Sequence, residues 1–101
     1  MSRNNEPDGP WINRAFNALA DPVRREIIEL IAGNPGVTVN EICACFSVSR
    51  FTIMRHLNVI EDAQLLYRER KGTTKHLYLD LGRFEDLRNG WLKRVITPSK
   101  L

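Results

Sequence analysis

The chain has 101 residues, of which 43% are apolar, 27% charged and 8% aromatic, and its 15 basic and 12 acidic side chains leave a net charge of +3. That is the composition of one globular domain, too rich in apolar residues for a disordered chain, and no apolar run approaches the roughly 18 residues of a membrane span. A polar start without an apolar signal segment, and two cysteines only two residues apart, exclude a disulfide-stapled secreted scaffold and point to a reducing, cytoplasmic setting.

Residues 1–10 carry Asn4, Asn5, Pro7, Asp8, Gly9 and Pro10 and read as a flexible arm. Residues 11–95 read as the folded domain and 96–101 as a tail. Trp11, Ala15, Phe16 and Leu19 recur at helical spacing in a first helix ending near Ala20. Asp21-Pro22 starts a second helix: the carboxylate caps free N–H groups, and proline gives up a donor that had no partner there. Val23, Ile27, Leu30 and Ile31 share one face of it, and Gly33-Asn34-Pro35-Gly36 ends it. Thr38-Val39-Asn40-Glu41 is a capping box, opening a short helix with Val39, Ile42, Cys43 and Phe46 on its buried face. After the turn Phe46-Ser47-Val48-Ser49, Ser49 caps another helix. Its Ile53, Leu57 and Ile60 point inward, with His56 beside them as a hydrogen-bonded structural residue. Two short capped helices joined by a tight turn make a helix-turn-helix.

Beyond Ala63 the apolar period changes from 3.6 to 2. Residues 65–70 and 75–81 read as strands joined by Lys71-Gly72-Thr73-Thr74, with Leu77, Leu79 and Leu81 on one face. A basic hairpin beside a helix-turn-helix is a wing, so the expected fold is mainly α with a small β-hairpin, a winged helix-turn-helix in the order α-α-α-α-β-β-α. Residues 82–95 form a last amphipathic helix with Phe84, Leu87, Trp91, Leu92 and Val95 on one stripe. A small domain has little left to cover that stripe. A homodimer is expected to bury it together with Trp11 and Phe16, whereas packing against the chain's own body is the other way to cover it.

The excess charge is local. Residues 46–76 hold six cations against three carboxylates, while the rest of the chain holds nine of each; eleven of the fifteen cations are arginine. A basic stripe of this kind suits a polyanion, although a solvated surface would explain +3 equally well.

The segment Ala18-Leu19-Ala20-Asp21-Pro22-Val23-Arg24-Arg25-Glu26-Ile27-Ile28 resembles the "LADPTRRxIL" opening of the ArsR-type winged-helix regulators. Residues 46–66 resemble their "F-x-[IV]-S…HL…L…AGL" helix-turn-helix, and residues 68–81 their "R…G…YxL" wing. The resemblance runs from about Phe16 to Trp91. It implies a dimeric, sequence-specific double-stranded DNA-binding regulator, usually a repressor and often released by an effector. Two positions depart from the pattern: Met54 stands where a hydroxyl residue is common, and Gln64 replaces the glycine of "AGL".

On the second helix of the motif Arg50, Met54 and Asn58 fall on one line flanked by Phe51 and Arg55, opposite the buried face. That line would enter the major groove. Arg50 and Arg55 suit guanine edges or phosphates, Ser49 and Thr52 suit phosphate oxygens, and Phe51 and Met54 suit thymine methyls unless they pack under the wing. Arg70, Lys71 and Lys75, with Thr73 and Thr74, suit phosphate or minor-groove contact from the wing.

Glu41-Ile42-Cys43-Ala44-Cys45 resembles the "ELCVC" segment of the arsenic and cadmium sensors of this family, but Phe46 follows where they have Asp, and the chain holds no third cysteine. No cofactor is expected. A metal or metalloid ion on Cys43 and Cys45, or release of DNA on thiol oxidation, is the weaker alternative, and Cys43 is read as a small apolar residue. A winged-helix module that binds protein is the rival from another class. A thiol oxidoreductase has the least support, because no C-x-x-C is present. No catalytic constellation is visible, and the terminal Ser99-Lys100-Leu101 is read as a chance match to a peroxisomal address.

Overall fold

A computed structural model describes residues 9–100. The elements run α1 (Gly9–Leu19), α2 (Pro22–Gly33), β1 (Val37–Thr38), α3 (Val39–Ala44), α4 (Arg50–Asp62), β2 (Leu66–Lys71), β3 (Thr74–Leu79) and α5 (Leu81–Leu87). A π-type stretch (Arg88–Leu92) and a short α6 (Lys93–Ile96) follow. Among the described residues no helix is long and apolar enough to cross a membrane. Most of the expected arm, residues 1–8, lies outside the described residues. Its last two positions, Gly9 and Pro10, belong to α1, where proline in the first turn forfeits no helical hydrogen bond.

The local caps form as the sequence dictates. Asp21 Oδ1 accepts from the backbone N–H of Val23 (2.8 Å) and of Arg24 (3.2 Å). Those bonds, the Arg24 one foremost, hold its carboxyl below the ordinary carboxylate range. Thr38 and Glu41 exchange bonds in the capping box, and the Thr38 backbone N–H likewise lowers the Glu41 pKa. Ser49 Oγ accepts from the Thr52 N–H at 3.1 Å and fixes the start of α4.

Ile27, Ile31, Ile42, Ile53, Leu57, Ile60, Leu65 and Leu77 are completely buried and join α2, α3, α4 and the sheet in one core. The sheet has three strands rather than the two of a bare hairpin, in the order β1-β3-β2, all antiparallel. The extra strand pairs Val37 with Leu77 and Thr38 with His76. His76 Nδ1 lies 2.6 Å from the Gly36 carbonyl, so that nitrogen carries the proton and donates. Gly36 sits at φ +89, and a Cβ there would come within 3.1 Å of the Tyr78 hydroxyl, so only glycine fits this crossing.

Three expectations are corrected here. Leu81 is not the last residue of the strand's inner face. It opens α5 and is 67% exposed, because Asp80 Oδ1 caps that helix through the Arg83 N–H. The final helix is not continuous either, since Gly90 takes φ −91 and ψ −116 and breaks it. Third, Trp11 and Leu87 do not lie on a surface open to a partner. Both are buried in their own chain (6% and 4% exposed), and the Trp11 indole N–H donates to the Ala63 carbonyl at 2.6 Å. Phe84 is half-buried against the same core.

α4 ends on Gln64 at φ +61, the left-handed conformation that glycine adopts without strain. A side chain there costs about 1 kcal/mol. Gln64→Gly is therefore expected to stabilise the protein by about that amount, raising Tm by roughly 4–8 °C. Calorimetry showing an unchanged or lower Tm would contradict this.

Candidate nucleic-acid interface

α4 packs against α1, α2, α3 and β2, while Arg50, Phe51, Arg55 and Asn58 on it face solvent. Two arginines from α2 brace this scaffold. Arg24 Nε and Nη2 donate to the Ala18 and Asn17 carbonyls (2.8 and 2.9 Å), and Arg25 donates to the Leu19 carbonyl (2.7 Å), which satisfies the end of α1. Arg24 Nη1 also meets His56 Nδ1 at 3.3 Å. His56 is thus a partly buried acceptor, in keeping with a structural role.

On the open side Arg50 and Arg55 are exposed, Asn58 is exposed one turn further on, and Phe51 stands 71% exposed. Phe51 therefore does not pack under the wing. Met54 is half-buried against the core and lines the adjacent groove. Ser49 and Thr52 share a hydroxyl contact of 3.0 Å at the start of the helix. Arg50 donates to the Asn40 side-chain oxygen of α3, which steadies it across the mouth of that groove.

The hairpin supplies the groove's other wall. Leu66, Arg68 and Arg70 of β2 pair with Leu79, Leu77 and Lys75 of β3. Because side chains alternate across a strand, these six residues share one face. Near the body that face is leucine and joins the core; farther out it turns basic. Arg70 and Lys75 stand directly opposite each other, like charges that repel across the ladder. The groove between wing and helix, about 330 Å³, is lined by Arg50, Met54, Arg68, Thr73, Thr74 and Lys75, with Thr38, Val39 and Asn40 at its end. On the outer face Tyr67 and Tyr78 stack (5.5 Å between centroids). Lys71 Nζ donates to the Tyr78 hydroxyl at 3.0 Å, and that bond raises the lysine's pKa. The turn is shorter than expected, only Gly72 and Thr73, with Gly72 at φ +64.

Arg68 opens the wing motif yet is absent from the expected contact residues. Its side chain is 16% exposed, its Nε faces the Glu61 carboxylate at 3.3 Å as an ion pair, and Nη2 donates to Asn58 Oδ1 at 3.2 Å. The clue is positional: an arginine on the inward face of a strand, where Leu66 precedes it by two, must bridge to the neighbouring helix. Glu61, Arg68 and Asn58 thereby lock the wing to α4.

Cys43 is half-buried against the core, while Cys45 is exposed with its Sγ 3.4 Å from the Glu41 carbonyl. Among the described residues no three or more His, Cys, Asp or Glu gather as metal ligands.

Residues 19–68 match the sequence pattern of a helix-turn-helix domain family. Over 88 residues the chain is 32% identical to the transcriptional repressor SdpR of Bacillus subtilis, covering 87% of this chain and 96% of that one. It is 38% identical over 80 residues to the HTH-type transcriptional regulator Rv2034 of Mycobacterium tuberculosis, covering 79% and 69%. Among solved structures it is similar to an ArsR family transcriptional regulator, RHA00566 (TM-score 0.76, 23% identity, 91% and 95% covered). A second is the homodimeric winged helix-turn-helix DNA-binding domain of Mb0332 from Mycobacterium bovis (TM-score 0.71, 19% identity, 100% and 95% covered). With the three motifs in order, the wing beside an exposed recognition helix, and relatives that are regulators and not enzymes, the chain belongs to the ArsR-type winged helix-turn-helix transcriptional regulators.

Proposed function

We propose that the protein is a repressor that binds a pseudo-palindromic operator as a homodimer in the cytoplasm. Its two α4 helices would enter successive major grooves roughly 34 Å apart. The observation that carries this reading is the groove in which the exposed face of α4 meets the basic face of the wing. A phosphate backbone seated there relieves the opposition of Arg70 and Lys75, so duplex binding removes a cost that the free protein bears. Repression is supported by the SdpR relative, which is named a repressor. The dimer is supported by an exposed apolar patch of Trp91, Leu92 and Val95 beside Phe16, whose ring meets Trp91 edge-on at 5.8 Å, and by the homodimeric Mycobacterium bovis domain.

Two variants test the division of labour. Arg50→Ala should cost about 1–3 kcal/mol on a selected duplex and relax base preference, because a bidentate base contact is lost. Lys75→Ala, on the groove's own wall, should weaken binding to every duplex alike and reduce the salt slope by about one, as expected of a phosphate contact. Equal losses on selected and scrambled duplexes for Arg50→Ala would contradict the assignment.

A further inference from the structure

Three arginines stand on or beside the outward side of α4, and two are already engaged. Arg50 is held by Asn40, and Arg68 by Glu61 and Asn58. Arg55 is exposed and, among the described residues, has no hydrogen-bond or ion-pair partner. What it does touch is Phe51, one turn earlier, with its guanidinium carbon 5.8 Å from the ring centroid. Phe51 belongs to no part of the core. A flat cation thus lies against an apolar ring, both open to solvent and neither used in the chain's own packing.

We propose that Phe51 and Arg55 act together as a reader of one base step, a thymine followed on the same strand by a guanine. This rests on α4 being the helix that enters the major groove. The guanidinium fork matches the O6 and N7 acceptors of guanine, and the C5 methyl of a thymine on the 5′ side sits beside that edge. The methyl then meets the phenyl ring, while the contact between ring and guanidinium already orders the arginine and lowers the entropy lost on binding. Asn58 is engaged elsewhere: its Oδ1 accepts from Arg68, which ties the amide to the wing.

The test starts from a duplex that the full chain selects from a random pool. Each dT is then replaced in turn by dU, which removes only the methyl, and each dG by 7-deaza-dG, which removes N7. In each half-site one dT should lose about fourfold in affinity as dU. The dG immediately 3′ to it should lose about tenfold. Phe51→Ala should abolish the dT/dU difference and keep the dG sensitivity. Because Phe51 is exposed, its removal leaves the fold intact, and a dT/dU difference that survives in Phe51→Ala overturns the inference. A wild type that selects a duplex yet tolerates dU everywhere overturns it too, leaving the groove-binding role of α4 standing. If no duplex is enriched even at low salt, that role fails and the inference with it.

Discussion

Trp11→Ala is expected to destabilise the protein by about 3–5 kcal/mol, the range for emptying a buried aromatic site. For a domain whose whole stability lies near 5–15 kcal/mol, that is a large share. The indole ties three elements together. It stems from α1, its N–H donates to the Ala63 carbonyl where α4 ends, and Arg83 of α5 lies over its ring at 5.1 Å. Trp11→Phe keeps most of the volume but leaves the Ala63 carbonyl buried without its donor, for a loss of about 1–3 kcal/mol. Denaturant midpoints read both. A loss below about 1 kcal/mol in Trp11→Ala would mean that the indole does not anchor α1 to α4.

The second large effect concerns assembly. In the double variant Leu92→Asp/Val95→Asp the folded chain should persist, because neither side chain packs into the core. The dimer should dissociate, since facing copies of the patch would then bring carboxylates together in an apolar contact. Losing one of two linked half-site contacts removes the gain from linkage, so affinity for a two-half-site duplex should fall by about 10²–10⁴. Affinity for an isolated half-site should be unchanged. Sedimentation and gel-shift titrations measure both quantities. A variant that stays dimeric, or a monomer that binds the full duplex undiminished, would place the interface elsewhere.

Much of the fold was legible because its signals are local. Asp21, Thr38 with Glu41, and Ser49 mark helix starts through bonds spanning two or three residues, and each is made as read. The missed features depend on partners distant in the chain. The two residues of β1 are too few to show a period, and their strand exists only because Leu77 and His76 arrive beside them. Trp11 is plainly apolar in the sequence, yet nothing near it says that Ala63, 52 residues away, will receive its N–H. Alternation continued through Leu81 on paper, but the cap made by Asp80 turned the chain one residue earlier. Gly90 interrupts an otherwise regular apolar stripe, and periodicity alone does not separate a tolerated glycine from a break. At the candidate site the exposed line on α4 and the basic wing could be read in advance. The lock formed by Glu61, Arg68 and Asn58 could not, because it depends on the register between hairpin and helix.

The most direct measurement is the affinity of the full chain for a selected duplex as a function of salt, set beside a variant in which Arg70, Lys71 and Lys75 are all alanine. Wild type should show log affinity falling linearly with log salt, with a slope shrinking by about 0.9 for each phosphate contact the variant loses. Affinity that ignores salt, or a variant whose slope matches the wild type, would contradict a duplex seated between α4 and the wing.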